Sequence, residues 1–587
     1  MREFFDLASN PMFVKHIRSR LRKSSLLPGV VIIAFLSLCI VFINDFVIKD
    51  AMRNPDPDSG SQMFFFLQGF ILVLMGGSQV ASSIAQMKES GIIDFHRITP
   101  IPPKVQAVGI LLGAPIRELI LYSITLPFAL YLAISGPVGI TDFSKLLLVQ
   151  IGGAIMYYTL AMITGLTTSK ARGASGRFVA ILALLNIAAP MFFTFGVYGP
   201  TLITATPVYM EVFYGEEQAA ARKRNQQKRV QKQQQQGGFN PNPPPQQVGG
   251  AKKQPNQPNQ PVPQNQPVPA DDDDVDRIKI TFYGLNVPIV LQSLMFQFGV
   301  LTFLFIAASR RIHSARLPLY HKPTALMFLA TMSFLTLGSL WDANTLPLTL
   351  GGVYFLSVFA VLLTNTITPA LGDIVKGMQR AFKISESRVP IWSDLSSNKF
   401  LLMTLAVTIA VTMAIGIVHS DPNARLGGLI DFTPWPSLLV GVLTILSYGF
   451  ASQYIAIAYG NRARGYFVLF LFFAWFVPII IGMIIMAQER EVGGYVLTMS
   501  PIIGITLAGT GLPRVDQDVL QVLSIAPVAA LSLIFMVLLF REERKLRDEI
   551  IDEHERREHK RRKRAAKEEE EYEQERPRRD DDERPRP

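Results

Sequence analysis

Apolar residues along this chain are bunched into long runs separated by short polar stretches, not spread in the 3.6-residue or alternating patterns of half-buried soluble helices and strands. Six runs occupy the first half, at 27–47, 63–84, 119–134 with a lead-in from Val105, 146–168, 178–198 and 287–308. Six more follow at 325–341, 350–369, 400–418, 438–458, 466–487 and 519–540. Each is long enough to cross the hydrocarbon core as a helix, so the pattern predicts an all-α polytopic membrane protein with about 12 transmembrane helices. An even number of spans per half gives both halves, 27–309 and 310–540, the same orientation. They are expected to be parallel six-helix repeats related by an axis along the membrane normal.

The polar remainder divides into three parts. In residues 1–26, Asn10 and Pro11 read as a helix cap and first-turn proline, with Val14, Ile17 and Leu21 on one face and Lys15, Arg18 and Arg22 on another. An amphipathic interfacial helix is expected, not a signal peptide, because a full-length span follows the basic stretch without a small-residue cleavage site. Residues 215–279 are rich in Gln, Pro and Asn and end near the Asp271 to Asp274 run. They bury too little apolar surface to fold and are expected to form a disordered extracytoplasmic insert, either an inert linker or a wall- or partner-binding loop. Residues 541–587 are almost wholly charged, with helical spacing up to Lys567 and a disordered end, and are expected to form a solvated cytoplasmic tail.

Charge then orients the chain. A formal net charge of +11 would suggest nucleic acid in a soluble protein, but here hydrophobic residues make up 49% and the cations gather in short loops. Lys88, Arg97 and Lys104, then Lys170, Arg172 and Arg177, then Arg310, Arg311 and Arg316 fall on one side, as do Lys376, Arg380, Lys383, Arg388, Lys399, Arg462 and Arg464 in the second half. The positive-inside rule makes that side, with both termini, cytoplasmic. No nucleic-acid partner is expected.

One loop stands apart. Between the second and third runs the chain reads KESGIIDFHRITPIPPKVQAVGILLG, from Lys88 to Gly113. Pro102 and Pro103 lack backbone donors, and Thr99 and Ile101 are pushed toward extended geometry by the prolines after them, so a helix ending near His96 must break and restart. This stretch resembles a motif of the ABC-2 type permeases, the membrane subunits of ATP-binding-cassette exporters, in which a Glu-x-Gly is followed by a Thr/Ser-Pro pair and a Gly-containing third span. The matching residues are Glu89, Gly91, Thr99, Pro100, Gly109 and Gly113, and the run from Asn10 to Ser24 resembles the elbow helix that opens many such permeases.

The resemblance implies that the turn carrying Glu89, Gly91, Thr99, Pro100, Pro102 and Pro103 rests on a separate ATPase subunit, in two copies, and transmits its closure. It further implies a bacterial-type inner membrane and a lipid, glycan or amphiphilic substrate. A Thr-x-Ser/Thr-Pro segment recurs between the fifth and sixth runs of each half, at Thr204, Thr206, Pro207 and at Thr498, Ser500, Pro501. A Glu-Ser pair recurs at Glu89 and Glu386, but the second copy has Arg388 in place of Gly91 and Val389, Pro390, Ile391, Trp392 in place of the Thr-Pro turn.

Chemistry is otherwise sparse. There is no P-loop, no H-E-x-x-H and no G-x-S-x-G, the seven histidines lack ligand spacing, and the single cysteine, Cys39, lies in an apolar run. No catalytic residue, metal or cofactor is expected in this chain, and ATP hydrolysis would belong to another. Arg117 and Glu118 form the one candidate intramembrane polar pair; as helix neighbours they should diverge and snorkel, as interfacial anchors or substrate contacts. The scarcity of buried carboxylates favours a permease powered from outside. A twelve-span secondary carrier and a non-transporting membrane scaffold are the alternatives.

Overall fold

A computed structural model describes residues 10–48, 59–98, 101–136, 138–168, 170–194, 201–214, 281–314, 318–341, 348–383, 389–419, 433–510 and 515–575. The expected insert at 215–279, Glu386 and Arg388, and the end of the tail beyond Glu575 lie outside these residues.

The described chain is mainly helical, and its strands are those of a small antiparallel hairpin, β1 (Thr281–Phe282) and β2 (Leu285–Asn286). Ten of its helices are long and apolar enough to cross a membrane. The first half holds α1 (Pro11–Arg20), α2 (Lys23–Phe42), α3, α4 (Ile92–Ile98), α5 (Pro103–Gly113), α6 (Ile116–Ser135), α7 (Gly139–Thr167), α8 (Ala171–Thr194), α9 (206–214) and α10 (Ile289–His313). Helix α3 is continuous through Ser59–Gly69, a π-helical turn at Phe70–Met75, and Gly76–Glu89. The second half holds α11 (Lys322–Ser339), α12 (Tyr354–Ile367) entered through a π-helical turn at Leu348–Val353, α13 (Leu371–Lys383), α14 (Lys399–His419), α15 (Pro434–Tyr459), α16 (Ala463–Met486), α17 (Arg490–Thr498), α18 (Pro501–Thr510) and α19 (Gln517–Glu575). The two expected spans that are not among the ten, 178–198 and 325–341, overlap α8 and α11, which are helical.

Helices α7 and α15 are the central posts. Of their apolar stretches 61% and 72% are buried within the protein, against 11% for α2 and 6% for α16, most of whose side chains are exposed or half-buried. Helix α7 packs on α3 and α10, and α15 packs on α19, α14, α18 and α12. A single apolar core runs across the junction of the halves through α10, α11 and α12, with Phe303 stacked on Phe328 at 4.5 Å and Phe359 edge-on to Phe328 at 4.9 Å. The Thr-x-Ser/Thr-Pro segments each start a short helix. The Thr204 hydroxyl accepts the Thr206 N–H at the start of α9, and Pro501 opens α18, where a proline costs no hydrogen bond.

Two expectations are corrected. The helix of the charged tail does not end at Lys567: α19 runs unbroken for 59 residues, from the last apolar run to Glu575. Its charged part is held by i,i+4 pairs such as Glu553–Arg557 and Lys567–Glu571, and extends roughly 50 Å past Phe540 at 1.5 Å per residue. A helix does end near His96, at Ile98, before the prolines, but the helix entering the Lys88–Gly113 loop has an additional, earlier break. It stops at Glu89, because Gly91 takes φ +73°, a left-handed conformation that ends helices and that other residues adopt at a cost.

Candidate functional site

The loop from Lys88 to Gly113 is pinned to three parts of the membrane domain. Lys88 Nζ donates to the carbonyls of Leu166 and Thr168, both at 2.9 Å, satisfying orphan acceptors at the C-terminus of α7. Glu89 accepts the Ala171 N–H at 3.2 Å, capping the N-terminus of α8 with a negative charge. Arg97 does the same service for α10, its guanidinium donating to Ile312 O at 2.9 Å and Arg311 O at 3.3 Å while it also pairs with Asp94. Inside the loop, Gln106 Nε2 bridges His96 O and Ile101 O, fastening α4 to the start of α5.

The N-terminal helix is the fourth fastening. Asn10 caps it through the N–H groups of Met12 and Phe13, and its amide donates to Val105 O at 2.9 Å. Helices α1 and α5 touch closely enough that a Cβ at Gly109 would fall 2.5 Å from Asn10 Oδ1, and one at Gly113 2.9 Å from His16 Cβ. The residues α1 buries are therefore Met12 and His16, while Val14 and Ile17 are half-buried. An interfacial helix has protein on one side and lipid on another, so its apolar stripe need not be its protein-facing side. Burial, with the charges of Lys15 and Arg20 beside it, pushes His16 down to about 4, and burial likewise lowers His96.

Against this rigid frame, α4 presents Phe95 and Ile98 outward, 62% and 80% exposed. Pro102 sits at the cap of α5 and Pro103 in its first turn; Thr99 and Pro100 lie outside the described residues. Lys88 and Arg97 carry no signal in sequence beyond that of loop cations, since their partners are backbone oxygens 78 to 215 positions away, and nothing in local order sets Gln106, Phe95 or Ile98 apart.

Arg117 and Glu118 require a correction. They do not diverge: Arg117 Nε and Nη2 both donate to Glu118 Oε1, at 3.0 and 2.7 Å. The third span breaks at Ala114 and Pro115, so both residues lie in the first turn of α6, where a long arginine can curl back over its neighbour. Glu118 does not snorkel but is 1% exposed, and its other oxygen has no hydrogen-bond partner among the described residues. It heads a buried polar row in which Tyr122 meets Gln150 at 3.3 Å and Gln68 donates to Thr125 at 3.2 Å. Alongside, Tyr158 donates at 2.7 Å to Leu72 O, a carbonyl within the π-helical turn of α3.

Two cavities adjoin these groups. One of about 1210 Å³ lies between the halves on the face that carries the basic loops, with Thr164 and Thr167 of α7, Arg177 of α8 and Arg311 of α10 on one wall and Asn365, Asp373 and Ser452 on the other. The second, about 530 Å³, is mainly apolar and lies within the first half between α3, α7, α8 and α9, lined by Phe65, Phe70, Tyr157 and Tyr209 among others. Among the described residues no cluster of His, Cys, Asp or Glu could hold a metal ion. Comparison of the chain with protein-family models, curated proteins and solved structures gives no match.

Proposed function

We propose that this chain is the membrane-spanning subunit of an ATP-driven exporter of the ABC-2 kind, with two parallel halves acting as an internal pseudo-dimer and a separate ATPase docking on α4 at the cytoplasmic face. The observation that carries this reading is that two large apolar side chains, Phe95 and Ile98, are offered on a short helix whose Arg97 grips the end of α10 and which follows, across the Gly91 turn, the end of α3 that Lys88 and Glu89 tie to α7 and α8. A partner pushing on α4 moves those ends. They in turn carry Thr164, Thr167, Arg177 and Arg311, one wall of the cavity between the halves, so docking and cavity shape are coupled through hydrogen bonds that already exist. A cavity lined by both threonine and aliphatic side chains, next to an apolar one, suits an amphiphilic substrate such as a lipid or lipid-linked glycan.

The test is co-purification from the native host. Wild-type chain is expected to bring down a P-loop ATPase, and the double substitution Phe95→Asp, Ile98→Asp to lose it while the protein stays folded. Intact wild-type protein with no ATPase bound would sink the reading. One observation favours the secondary carrier instead: Glu118 is a buried carboxylate with an open oxygen, as proton coupling requires. In that case Glu118→Gln would abolish pH-driven transport, whereas an ATP-driven permease would retain its ATP dependence.

A further inference from the structure

A third cavity, about 1050 Å³, lies in the second half and belongs to neither site above. Its walls are α13, the segment 389–398, the first turns of α14 and the stretch of α19 where apolar residues give way to charged ones. Met378, Phe382, Phe400, Met403 and Phe540 form an apolar floor. The rim carries four cations, Lys399, Arg541, Arg544 and Arg547, against the single anion Glu543. Lys399 is held in place, 2.6 Å from Glu543 Oε2 and 4.5 Å from the centre of the Phe540 ring. The other carboxylate oxygen of Glu543 is buried and has no hydrogen-bond partner among the described residues.

This arrangement straddles the membrane boundary. Helix α14 enters its apolar run at Phe400 and α19 leaves its own at Phe540, so the floor is at acyl-chain depth and the rim at head-group depth. From the floor, Phe400, Met403, Val407 and Val411 continue along α14 as an exposed apolar stripe, a track for a chain running into the bilayer.

We propose that this cavity binds an anionic phospholipid with a polyol head group. The phosphate sits among Lys399, Arg541 and Arg544, a head-group hydroxyl donates to the open oxygen of Glu543, and an acyl chain lies over Phe400 and Met403. The excess of positive charge selects against zwitterionic lipids, and the acceptor on Glu543 selects for a hydroxyl-bearing head group over bare phosphatidic acid.

The experiment is native mass spectrometry of the delipidated full chain, titrated separately with phosphatidylglycerol, phosphatidic acid, phosphatidylcholine and glycerol phosphate. Wild type is expected to retain phosphatidylglycerol at least tenfold better than phosphatidylcholine. The Arg541→Gln, Arg544→Gln double variant is expected to lose that preference, and Glu543→Gln to bring phosphatidylglycerol down to the level of phosphatidic acid. Removing the same charge further along the tail, with Arg561→Gln and Arg562→Gln, is expected to change nothing. Equal retention of phosphatidylglycerol and phosphatidylcholine by wild type would overturn the proposal without recourse to any variant. So would binding of glycerol phosphate as tight as the lipid, or loss of the preference in the Arg561, Arg562 control.

Discussion

Each half of this protein folds a loop on its basic face around a lysine, and the two loops then do different things. In the first, Lys88 reaches two carbonyls at the end of α7, and the chain between Gly91 and Ile98 remains free to form a helix that offers Phe95 and Ile98 outward. In the second, Lys322 is itself 3% exposed, and the segment 391–397 is wound over it. Its Nζ donates to Ile391 O, Ser396 O, Ser397 O and the Ser396 hydroxyl. Asp394 in the same segment pairs with Arg310 and lies 2.7 Å from His321. No helix forms in 389–398; Pro390 and Ile391 line the cavity between α13, α14 and α19, and Trp392 lies edge-on to Phe400 at the start of α14. A loop whose polar groups are consumed inside it has nothing left to build a projecting element. The first loop spends its charges on neighbouring helix ends and keeps its own backbone helical.

The comparison can be broken most decisively at the lysines. Lys322→Met leaves four buried or half-buried acceptors without their charged donor and is expected to destabilise the protein by roughly 3–5 kcal/mol. Lys88→Met strips two carbonyls, those of Leu166 and Thr168, where Lys322→Met strips four acceptors, and is expected to cost about half as much. Thermal unfolding of the two variants in the same detergent measures both. Equal losses would mean that the loops are fastened alike.

Acid is expected to separate the halves next. His16 is held neutral in the folded protein, so its site costs nothing above pH 6.5, where the unfolded chain is neutral too. As pH falls from 6.5 the unfolded state gains a proton that the folded state refuses, and stability is lost down to about pH 4, in total roughly 3 kcal/mol. The α1 helix against Gly109 and Gly113 should therefore loosen first, with protection of its amides in hydrogen exchange falling across that window. Helix α13 of the second half carries no histidine and should hold. His16→Gln would remove the pH dependence; its persistence would place the titrating group elsewhere.

The smallest effect is at the turn. Gly91 at φ +73° has open space around it, so Gly91→Ala meets no clash and is expected to cost only the left-handed strain, about 1 kcal/mol. A much larger loss of stability would show that this turn carries more than its own geometry. A loss of ATPase binding without loss of stability would show that the angle of α4 matters to the partner.

Much of this was legible beforehand, and the exceptions share one cause. The long apolar runs, the Asn10–Pro11 cap and the break at the prolines are written in local residue order, because helix length, capping and proline geometry depend on neighbours in sequence. The pairing of Arg117 with Glu118 does not follow from their adjacency, because its outcome depends on where α6 begins, one residue before Arg117. The tail was divided at Arg541 because composition changes there, although a helix needs no change of backbone when its surroundings pass from lipid to water.

By itself, then, the order of residues determined that this is an all-helical membrane protein, roughly where its helices start and stop, and which face carries the positive charge. Only the tertiary structure decided that Lys88 and Arg97 grip helix ends far along the chain, that Lys322 and Glu118 are buried, that Phe95 and Ile98 are not, and that basic and apolar walls meet at Phe400 and Phe540. Local order sets which backbone conformation is cheapest. Burial and charge partners are set by what packs alongside, and in this chain those neighbours lie tens to hundreds of residues away.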